Sequence, residues 1–347
     1  MNPTLLAGMA MIGTVLLAGQ GKGVWTDASD PSLPVDFKLQ GEYAGDKIGA
    51  QVIALGGGTF QAVITPGGLP GDGWDGKAKI LLEGRLEGDR ALFKPAEGQR
   101  KYLAQKPEEF SATRKFPPDG QKPWSAEGSA ASLKVKTDDG KTLELARAAR
   151  KSPTLGAKPP EGAIVLFDGT NTDEWNGGRL DKAAGILNTD GKDIVTKRKF
   201  SNYAMHVEFM LPYRPDGRGQ GRGNSGFYQV DHYELQILDS FGLDGLNNEC
   251  GGFYTKAAPK VNLCLPPLAW QTYDVEFTNA VQGPDGKKAR SAVATVRHNG
   301  VLIHENQEIS GPTGGHRSDP EGTPGPLKLQ GHGNPLQFRN LWIVEKK

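Results

Sequence analysis

Gly223 to Ser240 reads GNSGFYQVDHYELQILDS. From Phe227 onward, Tyr233, Leu235 and Ile237 share one parity, while His232, Glu234 and Gln236 share the other. That period of two is the pattern of an extended strand with one face in a core. The opposite face carries groups able to hydrogen-bond or titrate, where a solvent-facing strand more often shows Lys, Thr, Ser or Glu. Two other stretches repeat the pattern. In Ala204 to Leu211, Met205, Val207, Phe209 and Leu211 oppose His206 and Glu208; in Leu327 to His332, Leu327 and Leu329 alternate with Lys328, Gln330 and His332. Three such rows point to a shared polar face, although parity does not say which strands are neighbours.

Working outward, strand-like runs recur from Ala163 to the C-terminus: Ile164 to Phe167, Ala204 to Leu211, Phe227 to Leu238, Thr272 to Thr278, Ala292 to His298, Val301 to His304, Leu327 to Gln330 and Gln337 to Val344. No run of about a dozen residues shows helical periodicity, which disfavours βαβ architectures. The pattern predicts an all-β chain in which residues 163–347 form a two-sheet sandwich of jelly-roll type. Residues 36–150 read as a smaller β domain, with a hairpin of Gly49 to Leu55 and Thr59 to Thr65 about Gly56-Gly57-Gly58. Its GGLPGDGWDG stretch, residues 67–76, opens no helix and is an exposed loop rather than a phosphate cradle. Between the domains, KSPTLGAKPPEG at 151–162 is Pro- and Lys-rich and is expected to be an extended, mobile linker.

With 347 residues the chain suits about two domains, and 41 Lys+Arg against 40 Asp+Glu leave a net charge of +1. Nothing in that balance calls for nucleic acid or an anionic membrane as partner. Leu5 to Ala18 is apolar and uncharged, too short for a confident membrane span and suited to the core of a signal peptide ending near residue 21. Periplasmic or extracellular location follows as an expectation, with no stable membrane span after cleavage. In an exported chain, Cys250 and Cys264 are a disulfide candidate; the alternative is two buried, unpaired thiols.

Four blocks, IVLFDGTNTDEW (164–175), GNSGFYQVDHYELQILDSFG (223–242), NNECGGFYTKAAPKVNLCLPPLAWQTYDVEF (247–277) and LKLQGHGNPLQFRNLWI (327–343), together resemble the bacterial 3-keto-disaccharide hydrolase domain family. The resemblance implies a concanavalin-like sandwich acting on glycosides whose sugar carries a ketone at C3. Such a ketone acidifies the C2 proton; a base removes it, the C1 substituent leaves, and water adds to the resulting glycal. That chemistry needs a base, an enolate stabiliser and a proton donor, unlike a conventional glycosidase with two carboxylates across the bond.

Glu234, which matches the family's Tyr-Glu-x-Gln motif, is the first candidate for base. His332 is the candidate proton donor, although Gly331 stands where the family pattern has Asp. His232, Gln236, Asn224, Arg339 and Asp239 are candidate sugar contacts. Asp239 falls on the core parity, and Arg339 could equally be a structural clamp. His232, Glu234 and His332 are the candidate ligands should a divalent metal be used. His298, His304 and His316 read as surface residues. A non-catalytic carbohydrate-binding or surface-attachment module is the alternative function on this fold.

Overall fold

The computed structural model describes residues 23–346, so the expected export signal at residues 1–21 lies outside the described residues. The chain is all-β: the described helices are Val35–Leu39 and two single 3₁₀ turns, and none is long and apolar enough to cross a membrane. The N-terminal part is a closed barrel of eight antiparallel strands, Gly41–Gly45, Ile48–Gly56, Thr59–Pro66, Ile80–Glu87, Arg90–Pro95, Ser125–Gly128, Ser132–Lys136 and Thr142–Ala148. Closure leaves no exposed sheet edge. Small and large side chains alternate to fill so narrow an interior: Ala50, Ala54 and Ala62 pack with Phe60, Phe93 and Tyr43. The glycines at 56–58 are required, because all three take positive φ (88°, 58° and 70°) in the turn of the expected hairpin.

The sandwich has two sheets. In the larger, Arg179–Asp181, Ile186–Asn188, Gln337–Glu345, Tyr203–Met210, Trp270–Thr278, Ala292–His298 and Val301–Ile309 follow in spatial order, with Ile164–Phe167 also paired to Gln337–Glu345. In the smaller, the order is Trp175–Asn176, Ile194–Thr196, Lys328–Leu329, Asn224–Gln229 and Tyr233–Leu238. Val207, Phe209 and Tyr273 from the larger sheet meet Phe227, Leu235 and Ile237 from the smaller in one buried cluster. Burial of side chains of this size stabilises by roughly 1.5–3 kcal/mol each.

That cluster does not stop at the sandwich. Ile53, Leu55, Val63 and Leu81, on the outer wall of the barrel, belong to it. The barrel therefore spends part of its wall on the sandwich instead of on solvent. The junction is also polar: Arg218 donates to the Leu55 carbonyl at 2.7 Å, and Arg222 to the Ala54 carbonyl at 3.0 Å. The segment 151–162, read from composition as mobile, lies against the larger sheet. Ser152 Oγ is 2.6 Å from Thr272 Oγ1, Thr154 donates to Asp274 at 2.7 Å, and the Ala157 carbonyl accepts from Asn340 at 3.0 Å. Its hydroxyls and backbone thus satisfy a buried polar row that composition alone could not show.

Three further readings change. Gly223 to Ser240 is not one strand but a hairpin, Asn224–Gln229 and Tyr233–Leu238, turned through Val230 and Asp231 at φ 46° and 54°. A β-branched valine is a poor residue for positive φ, so no turn signal marks it. The three polar rows divide between sheets, because His206 and Glu208 lie on the outer face of the larger one. Finally, Cys250 and Cys264 are free and buried, not bridged. The two thiols nevertheless lie within hydrogen-bonding reach of each other; Cys250 Sγ is also 3.1 Å from Tyr273 Oη, and Cys264 Sγ donates to the Leu238 carbonyl at 3.4 Å.

Candidate active site

The hairpin sets the site. Antiparallel register places Tyr228 opposite Glu234 and Gly226 opposite Gln236, while Tyr228 also faces Lys328 on the neighbouring strand. Asn224, Gly226 and Tyr228 thus share the outer face of the smaller sheet with Glu234, Gln236, Lys328 and Gln330. A cleft of about 170 Å³ opens there, lined by Gln220, Asn224, Tyr228, Glu234, Tyr254, Gly314, Gly315, Gln330 and His332.

Glu234 is 4% exposed at the floor of this cleft. A side chain at Gly226 would meet it, since a Cβ there would fall 2.3 Å from Glu234 Oε1; the glycine makes the carboxyl's room. Burial pushes the Glu234 carboxyl up to about 7, against the opposing pull of a hydrogen bond from Tyr228 and the charge of Lys328. Tyr228 Oη lies 2.9 Å from Glu234 Oε2 and 2.7 Å from the Gly314 carbonyl. One phenolic proton cannot serve both acceptors. When Glu234 is protonated, its own proton can bridge to Tyr228 while the phenol donates to Gly314; when it is ionised, the phenol turns to the carboxylate. Burial and the neighbouring Glu234 raise the phenol's pKa, so Tyr228 remains a donor throughout neutral pH. Lys328 is buried, lies 3.9 Å over the Tyr228 ring and pairs with Asp231 at 2.6 Å.

An amide cluster adjoins the carboxyl. Gln220 Oε1 accepts from Asn224 Nδ2 and from Gln236 Nε2, each at 3.0 Å. The acceptor atoms Asn224 Oδ1, Gln236 Oε1 and Gln330 Oε1 are buried without a hydrogen-bond partner in the protein. Unsatisfied acceptors are costly unless something donates to them, and the hydroxyl groups of a polyol would do so.

Of the residues singled out from sequence, Glu234, His332 and Asn224 line this cleft, and Gln236 joins it through Gln220. His332 is exposed at the cleft wall, on a backbone of φ 45°. A Cβ at Gly331 would lie 2.2 Å from Lys192 N, so the Gly191–Lys192 backbone occupies the space an Asp there would need. Asp193 Oδ1 instead accepts the Gly331 N–H at 2.9 Å and steadies the turn that carries His332.

The other three candidates belong elsewhere. His232 is in the hairpin turn, not on the strand face, and its Nε2 donates to the Asp319 carbonyl at 2.8 Å. Asp239 is buried in an ion pair with Arg222 at 2.6 Å beside the barrel, as its core parity foreshadows. Arg339 lies on the larger sheet, pairing with Glu208 at 2.7 Å and stacking 4.1 Å over Trp270. Among the described residues no group of three His, Cys, Asp or Glu side chains is placed to hold a metal ion, so His232, Glu234 and His332 do not assemble as a metal site. His298 and His304 are buried, not on the surface, each with Nε2 bonded inside the protein, to Gln271 Oε1 at 3.0 Å and to the Gly251 carbonyl at 2.7 Å. Tyr228, Lys328, Tyr254 and Gln220 were not singled out beforehand. Strand register could have found Tyr228 and Lys328; Tyr254 and Gln220 come from loops and left no signal.

A two-sheet sandwich carries a buried carboxyl, a partner phenol and a set of amides in one open cleft. The chain belongs to the 3-keto-alpha-glucoside-1,2-lyase-like domain family, whose sequence profile matches residues 162–344, more than half of it. It is similar in structure to a candidate glycosyl hydrolase from Parabacteroides distasonis, with 31% identity and a TM-score of 0.50 over 54% of this chain and 85% of that one. A second protein of the same organism and description is 21% identical with a TM-score of 0.40, covering 54% of this chain and 95% of the other. No curated protein matches the chain. The matched region is the sandwich alone, so the barrel has no counterpart in the family profile.

Proposed function

We propose that the protein is a carbohydrate-active enzyme that cleaves 3-keto-glycosides by elimination and hydration, with Glu234 as the base. The observation that carries this reading is the Glu234 carboxyl, held at about 7 by burial at the floor of an open cleft. A base works best with its pKa near the operating pH, and this one is buried and fixed on a strand. Family membership and the glycosyl-hydrolase description of the similar structure support a carbohydrate as substrate.

In this mechanism ionised Glu234 takes the C2 proton, and the electron pair of the C2–H bond passes into the C2–C3 enolate. Tyr228 and the charge of Lys328 stabilise the negative charge that develops beside them. Collapse of the enolate forms the C1–C2 double bond and breaks C1–O, the electron pair leaving on the aglycone oxygen. His332, at the cleft wall, protonates that oxygen. Water then adds across C1–C2: its oxygen bonds C1, the proton it loses goes back to His332, and C2 takes its proton from Glu234, so both groups return to their starting states.

Product analysis on 3-keto-disaccharides and their parent sugars tests the proposal. Aglycone release from the ketones, lost in Glu234→Gln, is the expected result. Turnover of the parents but not the ketones overturns the mechanism, and binding without release makes the domain a carbohydrate-binding module. We also propose an extracytoplasmic location, from the apolar run Leu5 to Ala18; fractionation of cells producing the full chain checks it.

A further inference from the structure

One excursion of the barrel chain reaches toward the active site. Between its strands Arg90–Pro95 and Ser125–Gly128 the chain leaves the barrel wall and packs Leu103, Phe110 and Ala112 against the sandwich core. Tyr102, on this excursion, donates its phenolic hydrogen to Glu249 Oε1. Glu249 is 1% exposed, and its other oxygen accepts the N–H groups of Gly245 at 2.7 Å and Leu246 at 2.9 Å. The same turn carries Asp244, which accepts from Lys79 at 2.8 Å and from the Arg114 N–H at 2.8 Å, both from the barrel part. Both acids of the turn are therefore held from the N-terminal domain.

What the turn holds in its own right is the wall of the cleft. The Asn248 carbonyl, next to Glu249, accepts Gln220 Nε2 at 2.8 Å and Gln236 Nε2 at 3.3 Å. Gly252 accepts the Gln236 N–H at 2.8 Å, and Tyr254, which lines the cleft, donates its N–H to the Glu234 carbonyl at 3.0 Å. Because the Gln220, Gln236 and Asn224 amides spend their donors on one another and on Asn248, Gln236 Oε1 and Asn224 Oδ1 are left as free acceptors. Their orientation depends on where the Asn248 carbonyl sits.

We propose that the barrel is a working part of the active site: Tyr102 is a positioning residue that fixes the 244–252 turn and, through Asn248, aims the Gln236 and Asn224 acceptors at sugar hydroxyls. This rests on the proposed carbohydrate substrate for its kinetic consequence, but not for the coupling itself. Removing the hydroxyl leaves a buried carboxylate oxygen without its donor. The turn loosens while the Glu234–Tyr228 pair, on the hairpin, keeps its geometry. The loss therefore falls on ground-state binding of the sugar and not on the proton transfer.

The test is Tyr102→Phe in the full chain, read in two ways. Hydrogen exchange is expected to accelerate about tenfold or more at Gly245, Leu246 and Gly252, with barrel-strand amides unchanged. In kinetics on a 3-keto-glycoside, KM is expected to rise about tenfold with kcat within about twofold, and the pH limb of Glu234 unmoved. A residue that merely keeps the protein folded would lower kcat through the active fraction and leave KM alone. Unchanged exchange over 244–252, or a fall in kcat at constant KM, overturns the inference. If the wild-type chain turns over no 3-keto-glycoside, the substrate reading has failed, and the exchange result still decides the coupling.

Discussion

Glu234 and Glu208 are a matched pair on opposite sheets. Both sit on strands and are almost fully buried, at 4% and 1% exposure, yet their carboxyls are driven in opposite directions. Burial penalises the charge of each. At Glu234 that penalty is opposed by one phenol and one nearby ammonium, and the carboxyl rises to about 7. At Glu208 it is outweighed by hydrogen bonds from His206, Asn340, the Gly156 N–H and Arg339, which hold the carboxyl at about 2. His206 is itself caught between Glu208 and Asp274, at 3.4 and 2.6 Å, and the two carboxylates raise its pKa against the effect of burial. What separates the two most visibly is the number of donors that reach each carboxyl. A carboxylate given every donor is a structural anchor; one left short of them is able to exchange a proton at neutral pH.

The largest expected effect breaks the comparison at its reactive end. Glu234→Gln should lower kcat/KM on a 3-keto-glycoside by about 10³-fold, the range of a positioned acid–base group, and Glu208→Gln should leave it unchanged per folded molecule; steady-state kinetics on both variants checks this. Stability should respond the other way round. Glu208→Gln strips a buried, charge-paired site and should cost about 3 kcal/mol in urea unfolding at pH 7.

The pH dependence sharpens the same contrast. An acid whose pKa rises on folding keeps its proton in the native state after the unfolded chain has lost it. Glu234 should therefore erode stability as pH climbs from its ordinary 4.5 to about 7, by about 3 kcal/mol in total. Glu208 contributes stability above 4.5 that is lost as pH falls toward about 2. Unfolding measured across pH should lose the neutral-side decline in Glu234→Gln and the acid-side decline in Glu208→Gln, and kcat/KM should rise through a limb near 7. Tyr228→Phe removes the phenol that favours the ionised form of Glu234, so that limb should move to higher pH, with activity at pH 7 lower by about tenfold. Smallest of all, Arg339→Lys keeps the half-exposed charge beside Glu208 and should cost less than about 1 kcal/mol, without change in kcat/KM.

The two carboxylates were not equally legible in the chain. Alternation placed Glu234 on a polar strand face, and its place in the Tyr-Glu-x-Gln motif marked it as the base candidate. The same alternation put His206 and Glu208 into an apparent third row of one face, because parity has no knowledge of which sheet a strand joins. Composition made residues 151–162 a mobile linker, but Thr154 and the Gly156 N–H serve the Asp274 and Glu208 carboxylates. Arg339 and Asp239 were attractive by residue type; each is claimed by an opposite charge nearby in space and distant in sequence.

Local pattern alone determined the all-β class, the sandwich after residue 163, the glycine hairpin of the barrel and the polar strand face that carries Glu234, since these follow from periods of two and turn residues within a few positions; the family motif, not the pattern, picked Glu234 out of that face. Tertiary structure decided the rest. The Val230–Asp231 turn, which sets Tyr228 against Glu234, runs against valine's backbone preference and is held by packing. The raised Glu234 carboxyl depends on which donors are brought within reach of a buried oxygen. The barrel's hold on the 244–252 turn joins residues such as Tyr102 and Glu249, 147 positions apart. No local rule extends over that separation.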